Sequence, residues 1–136
     1  MSTEARDGPG PEVFVLKIKT GDLRYTDLPP AHRVVGDQVV SNGRVFDSKN
    51  RTIGRAESIG TVTRRRPYLL LLTVVFTLRG GQIDAQGVAP FETTKPIALP
   101  VLGGTGRFLE VVRGRVELSG GRRDGSGRAV FTLVRG

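Results

Sequence analysis

Apolar and polar residues alternate with a period of two along most of this chain, the pattern of strands buried on one face. In residues 13–19, Phe14, Leu16 and Ile18 share one face, while Val13, Val15, Lys17 and Lys19 share the other. Residues 38–47 place Val39, Ser41, Gly43 and Val45 opposite Gln38, Val40, Asn42, Arg44 and Phe46. Residues 52–63 have an unusually small face, Gly54, Ala56, Ser58 and Gly60. Residues 68–79 are apolar on both faces, so the outward face predicts a subunit interface. Residues 82–88 form a fifth strand, with Ala85, Gly87 and Ala89 in line. Residues 99–118 open apolar, pass a turn at Gly103-Gly104-Thr105-Gly106, and run out as a strand holding Phe108, Glu110, Val111, Val112, Val116 and Leu118. Gly114 within it marks a bulge or a close backbone approach. Residues 128–134 are the last strand.

Turn-forming residues separate these segments. Gly21-Asp22 is expected to end the first strand, and residues 22–35, with Pro29-Pro30, to form a loop with room for a short helical turn. Asp47 to Asn50, Arg64 to Pro67, Gly80-Gly81 and residues 120–127 read as turns; residues 90–98 read as a loop with room for a short strand. Seven or eight evenly spaced strands without an amphipathic helix imply a sandwich or a closed barrel. An all-β, eight-stranded antiparallel β-barrel is expected, because that size encloses side chains or one small ligand. Residues 1–11 read as a disordered tail and residues 12–136 as a single barrel domain.

Composition narrows the chemistry. The chain has no Cys and one His, so disulfides, thiolate catalysis and a His-based metal site are excluded, and no metal or other cofactor is expected. The N-terminus lacks the apolar core of a signal peptide, and the longest apolar run falls short of the roughly 20 residues of a membrane helix. A cytoplasmic protein with no membrane partner is expected. The net charge is +8, and only four of the 21 basic residues are lysine (Lys17, Lys19, Lys49, Lys95). The arginines are scattered, cluster only at turns, and do not interleave with aromatics, so no nucleic-acid partner is expected. The Gly103 to Gly106 string lacks the Gly-Lys-Ser/Thr ending of a phosphate loop, and a strand follows it.

Small residues repeated on several strands either let backbones approach or leave a void. Barrel radius is fixed by strand number and stagger, which favours a void holding a hydrophobic small molecule; the alternative is that large side chains fill it. The expected lining is Val39, Ser41, Gly43, Ala56, Ser58, Tyr68, Leu70, Leu72, Phe76, Gly87, Ala89 and Phe131. Candidate catalytic groups are Lys17, Lys19 and Glu110. A lysine facing the lumen would bind a carboxylate or exchange a proton; one near the strand end would reach solvent instead. An inward Glu110 would be a general acid, and an outward one a salt-bridge partner.

Four pieces of sequence resemble the dirigent and allene oxide cyclase family. LPVLGGTGRF (residues 99–108) with the glycine-broken strand after it resembles the family signature. Gly36-Asp37 leads the second strand, Gly54 follows Asp47 by a short turn, and FTLRGGQIDAQG (residues 76–87) resembles the family hairpin. The likeness spans about residues 36–135. It implies an eight-stranded antiparallel barrel with a central hydrophobic pocket, a homo-oligomer (trimer or dimer), and chemistry without a cofactor. The function it implies is a cofactor-independent cyclase or isomerase shaping a hydrophobic intermediate, such as a polyketide or other secondary metabolite. The alternative is a non-catalytic, dirigent-like protein guiding the stereochemistry of another enzyme's reaction. The cyclases' lumen carboxylate and amide on the first strand are best matched by Lys17-Ile18-Lys19, their lumen Asn by Gly43, and their lumen Cys by Gly60. Phe108 to Gly114 is one residue longer than the family pattern. Allene oxide cyclase activity itself is therefore not expected.

Overall fold

A computed structural model describes residues 10–26, 35–91, 93, 95–120 and 125–136. Eight antiparallel strands close into one barrel in chain order. They are β1 (Glu12–Thr26), β2 (Gln38–Phe46), β3 (Thr52–Arg65), β4 (Tyr68–Leu78), β5 (Gly81–Pro90), β6 (Ile97–Gly104), β7 (Val111–Ser119) and β8 (Ser126–Arg135), with a short 3-10 helix (Gly106–Phe108) before β7. β1 pairs with both β2 and β8, which closes the barrel. The expected tail over residues 1–9, the loop with Pro29-Pro30 and the Arg122-Arg123 turn lie outside the described residues.

The period-two faces of β2, β3 and β5 point as the alternation predicts. Val45, Ala56, Ile83, Ala85 and Ala89 are buried on the inner side. Three expectations are corrected. β1 does not stop at Gly21-Asp22: a register shift between Thr20 and Asp22 absorbs the irregularity and pairing continues to Thr26↔Gln38. The apolar start of the glycine stretch is itself a strand, β6, and contains Gly103 and Gly104; only Gly106 of the run takes a positive φ, of 59°. Phe108 and Glu110 precede β7, in the 3-10 helix and the turn after it.

One end of the barrel is plugged. Phe14 stacks on Phe131 with ring centroids 5.0 Å apart, and Phe131 meets Phe76 edge-on at 4.9 Å. These rings come from β1, β8 and β4 and join Leu16, Val45, Ile83, Leu99, Val116 and Leu133 in one apolar core. Burying each ring or branched side chain is worth about 1.5–3 kcal/mol, so the plug is where the fold is anchored. Several inner glycines serve strand contact. A Cβ on Gly43 would lie 2.5 Å from the Lys19 carbonyl oxygen, and one on Gly54 only 2.2 Å from that of Thr77. On Gly114 it would lie 2.7 Å from the Thr132 carbonyl oxygen, which is the close approach expected there. Among the described residues no helix is long and apolar enough to cross a membrane.

Candidate functional site

Above the aromatic plug the lumen opens into a cavity of about 330 Å³ at the end where β2 and β4 begin and β5 and β7 finish. Its floor is Phe76, and Val74, Leu72, Leu70 and Ile18 form apolar walls. The side made by β1, β2 and β3 is more polar. Ser41 and Ser58 are direct partners in the β2–β3 ladder, and their hydroxyls lie 2.6 Å apart, with Thr20 on the neighbouring strand. A hydroxyl pair both donates and accepts, so one of the two can turn to a ligand oxygen while the other supports it. The charged residues that border the cavity, Glu57, Lys95 and Arg128, are exposed.

An aromatic group flanks the mouth. Phe91 lines the cavity and packs against Tyr25 and Tyr68, with centroids 5.7 Å and 6.2 Å away. Tyr25 donates its hydroxyl proton to Oδ2 of Asp37 at 2.6 Å, and Asp37 is fully buried. The Asp37 main chain is fixed as well: its carbonyl accepts from the Val62 N–H, and the Gly36 N–H donates to the Val62 carbonyl, both at 2.8 Å. Asp37 therefore ties the start of β2 to β3 beneath the mouth.

Of the expected lining, Ser41, Gly43, Ala56, Ser58, Leu70, Leu72, Phe76 and Ala89 border this cavity. Four do not. Val39 pairs with Tyr25 and Gly60 beyond the cavity wall, and Tyr68 sits behind Phe91. Phe131 is within the plug beneath the floor. A Cβ on Gly87 would meet Leu99 at 3.0 Å and Pro100 at 3.3 Å, so that position is packed against β6. The candidate catalytic groups are elsewhere. Lys17 and Lys19 point out of the barrel, because Leu16 and Ile18 take the inner face of β1. Lys17 Nζ donates to Asn50 Oδ1 at 2.9 Å on the outer surface. Glu110 is exposed in the turn before β7. None of the three borders the upper cavity.

The sequence reading missed Ile18, Thr20, Phe91, Leu118 and Ser126 as cavity residues. Ile18 and Thr20 continue the Phe14 and Leu16 face, so their signal is present in the alternation. Phe91 follows β5 in a loop with no periodicity and carries no comparable signal. Among the described residues no cluster of His, Cys, Asp and Glu could hold a metal ion.

The chain matches the profile of the family described as "Dirigent-like protein" over residues 7–134. It belongs to the dirigent-like family. Direct comparison with curated proteins returns no match. Among solved structures, a pyocyanin demethylase superposes with a TM-score of 0.80 at 18% identity, covering 90% of this chain and 100% of that one. An exo-specific intermolecular Diels-Alderase gives 0.74 at 18% identity, covering 92% and 98%. A pterocarpan synthase dirigent protein gives 0.62 at 13% identity, covering 98% and 95%. These likenesses establish a shared barrel fold.

Proposed function

We propose that this protein is a cyclase that closes a ring in a small hydrophobic substrate held within the upper cavity. The observation that carries this reading is the cavity itself: open at one end, floored by Phe76, apolar on the β4 side and hydroxyl-bearing on the other. Its 330 Å³ lies near the lower end of the ~300–1,000 Å³ of typical ligand sites. Catalysis rests on shape. Holding two reacting ends in contact supplies up to about 7–11 kcal/mol of a barrier, which needs no acid or base. The Ser41–Ser58 pair would hydrogen-bond a substrate carbonyl and withdraw electron density from the reacting bond. The reading invokes no cofactor. Structural relatives described as Diels-Alderases fit it, as does one described as a nonspecific heme-binding cyclase of a [4 + 2] cycloaddition.

The test is incubation with linear polyenes bearing an activated alkene, followed by chiral chromatography. Ring closure faster than in buffer, with one stereoisomer in excess, is expected; a background rate with racemic product rejects the reading. A second reading is a guide for a reaction begun by another enzyme. It is supported by the match to the dirigent-like family over residues 7–134. In that case the protein alone turns nothing over, yet biases product stereochemistry once a separate oxidant supplies reactive phenoxy species. We further propose that the protein works as a homo-oligomer, joined through the outer face of β2 to β5.

A further inference from the structure

The barrel has a second cavity, about 400 Å³, at the plugged end. The Phe14–Phe131–Phe76 stack separates it from the upper cavity: Phe14 and Leu16 face it, whereas Phe76 floors the other. Its apolar surface is completed by Ile53 and Leu78. Its charged groups come from four places: Glu12 at the start of β1, Asp47 and Arg51 at the β2–β3 turn, Arg79 at the β4–β5 hairpin, and Arg107 in the 3-10 helix.

The carboxylates are already engaged. Asp47 takes Nε of Arg51 at 2.8 Å and also accepts from the backbone N–H groups of Lys49 and Arg51. Glu12 takes Nε and NH2 of Arg135. Arg79 and Arg107 have no carboxylate partner among the described residues. Arg107 is moreover held in place. Its N–H donates to the Gly80 carbonyl at 2.9 Å, and its stem lies over Gly80, where an added Cβ would meet Cδ at 2.8 Å. The Arg107 and Arg135 guanidinium carbons lie 4.9 Å and 5.8 Å from the Phe108 ring centroid, two cations on one ring. Among the described residues only Arg135 of these two has a carboxylate partner, Glu12. Excess positive charge above an apolar floor is the complement of an oxyanion on an apolar body, since guanidinium forks bind carboxylate or phosphate oxygens in pairs.

We infer that this cavity is an anion-recognition site in which Arg79 and Arg107 hold the oxyanion head of an amphipathic small molecule, its apolar body resting on Leu16, Ile53 and Leu78. The site is independent of the upper cavity and of the activity proposed for it. Calorimetric titration of the full chain with naphthyl phosphate and with naphthoate tests it, the two heads distinguishing a phosphate from a carboxylate ligand. Saturable binding of at least one is expected, weakening with added salt and shifting the Arg79 and Arg107 Nε–Hε NMR signals. The Arg79→Ala/Arg107→Ala double variant should lose about tenfold or more, from loss of charge-assisted hydrogen bonds. The Lys double variant should fall in between, retaining charge without the fork. The uncharged naphthalenemethanol should bind at least about tenfold more weakly than the anions. Ser58→Leu, which blocks the other cavity, should leave binding unchanged. Failure of both anions to bind, undiminished binding by the Ala double variant, equal binding of the uncharged probe, or loss of binding in Ser58→Leu would each overturn the inference.

Discussion

Ser58 and Gly87 both face inward, and the sequence gives them the same prospect of lining a pocket. Their neighbours differ. Ser58 borders open space and meets Ser41 across the ladder, whereas Gly87 already lies against Leu99 and Pro100. Ser58→Leu should therefore fill the upper cavity and abolish substrate binding, at a stability loss of about 1 kcal/mol from the broken hydroxyl pair. Gly87→Leu should cost about 1–3 kcal/mol by overpacking. Urea unfolding beside a ligand-binding assay separates them; equal destabilisation would mean that the lumen is full. Asp47 governs a different property. The Arg51 N–H bonded to it is the main cause holding its carboxyl below the usual 3.8, helped by the Arg51 guanidinium and the Lys49 N–H. A depressed folded-state value means stability that is complete above the unfolded value and lost as pH falls through the folded one. The melting-temperature gap between the natural chain and Asp47→Asn should be present at neutral pH and shrink below about pH 4. A gap that grows on acidification would reverse the sign and reject the assignment.

At the scale of elements, alternation carried most of the information. The inner faces of β2, β3 and β5 follow from every second residue, and the all-apolar β4 gave a strand of the right length. β1 was also legible, since Phe14, Leu16 and Ile18 form the purer apolar face; of the two orientations open to Lys17 and Lys19, the outward one agrees with that pattern. The shift at Gly21-Asp22 was hidden because a bulge and a strand end have the same composition. β6 was hidden because its glycines look like a turn, and glycines on the strands of this barrel are not alike in what they do. Gly103 has nothing within 4 Å of a would-be Cβ, whereas Gly54 on β3 would drive one into the Thr77 carbonyl. Gly103→Ala should change stability by less than about 0.5 kcal/mol, and Gly54→Ala should cost about 1–3 kcal/mol. Denaturant midpoints measure both; a tolerated Gly54→Ala would remove the close approach as the reason for that glycine.

The upper cavity has a signal in the small inner faces of β2 and β3, whereas the lower cavity and the partition between the two are properties of the whole molecule with no local signal. The partition between them needs rings from β1, β4 and β8, which only barrel closure brings together. The outer surface is organised at the same scale. Val40 pairs with Ile59, Ile59 with Thr73, and Leu71 with Val88, so adjacent strands place their exposed side chains side by side. Val40, Ile59, Leu71 and Val88 are 43%, 42%, 39% and 60% exposed. Four strands at about 4.8 Å spacing make this a continuous strip roughly 15 Å wide. The strip is uncharged in a chain of net charge +8, and Glu57 and Asp84, both partners of Val75, form an acidic edge beside it. A second copy of this basic chain satisfies both features, covering the apolar strip and setting arginines against the acidic edge. Light scattering after size-exclusion chromatography should give a mass two or three times that of the 14.7 kDa chain. Leu71→Asp/Val88→Asp should return it to one chain with the barrel's circular dichroism unchanged, because both side chains lie outside the core. A natural chain that stays monomeric at high concentration, or a double variant that keeps the oligomer's mass, would show that this face is not where copies meet.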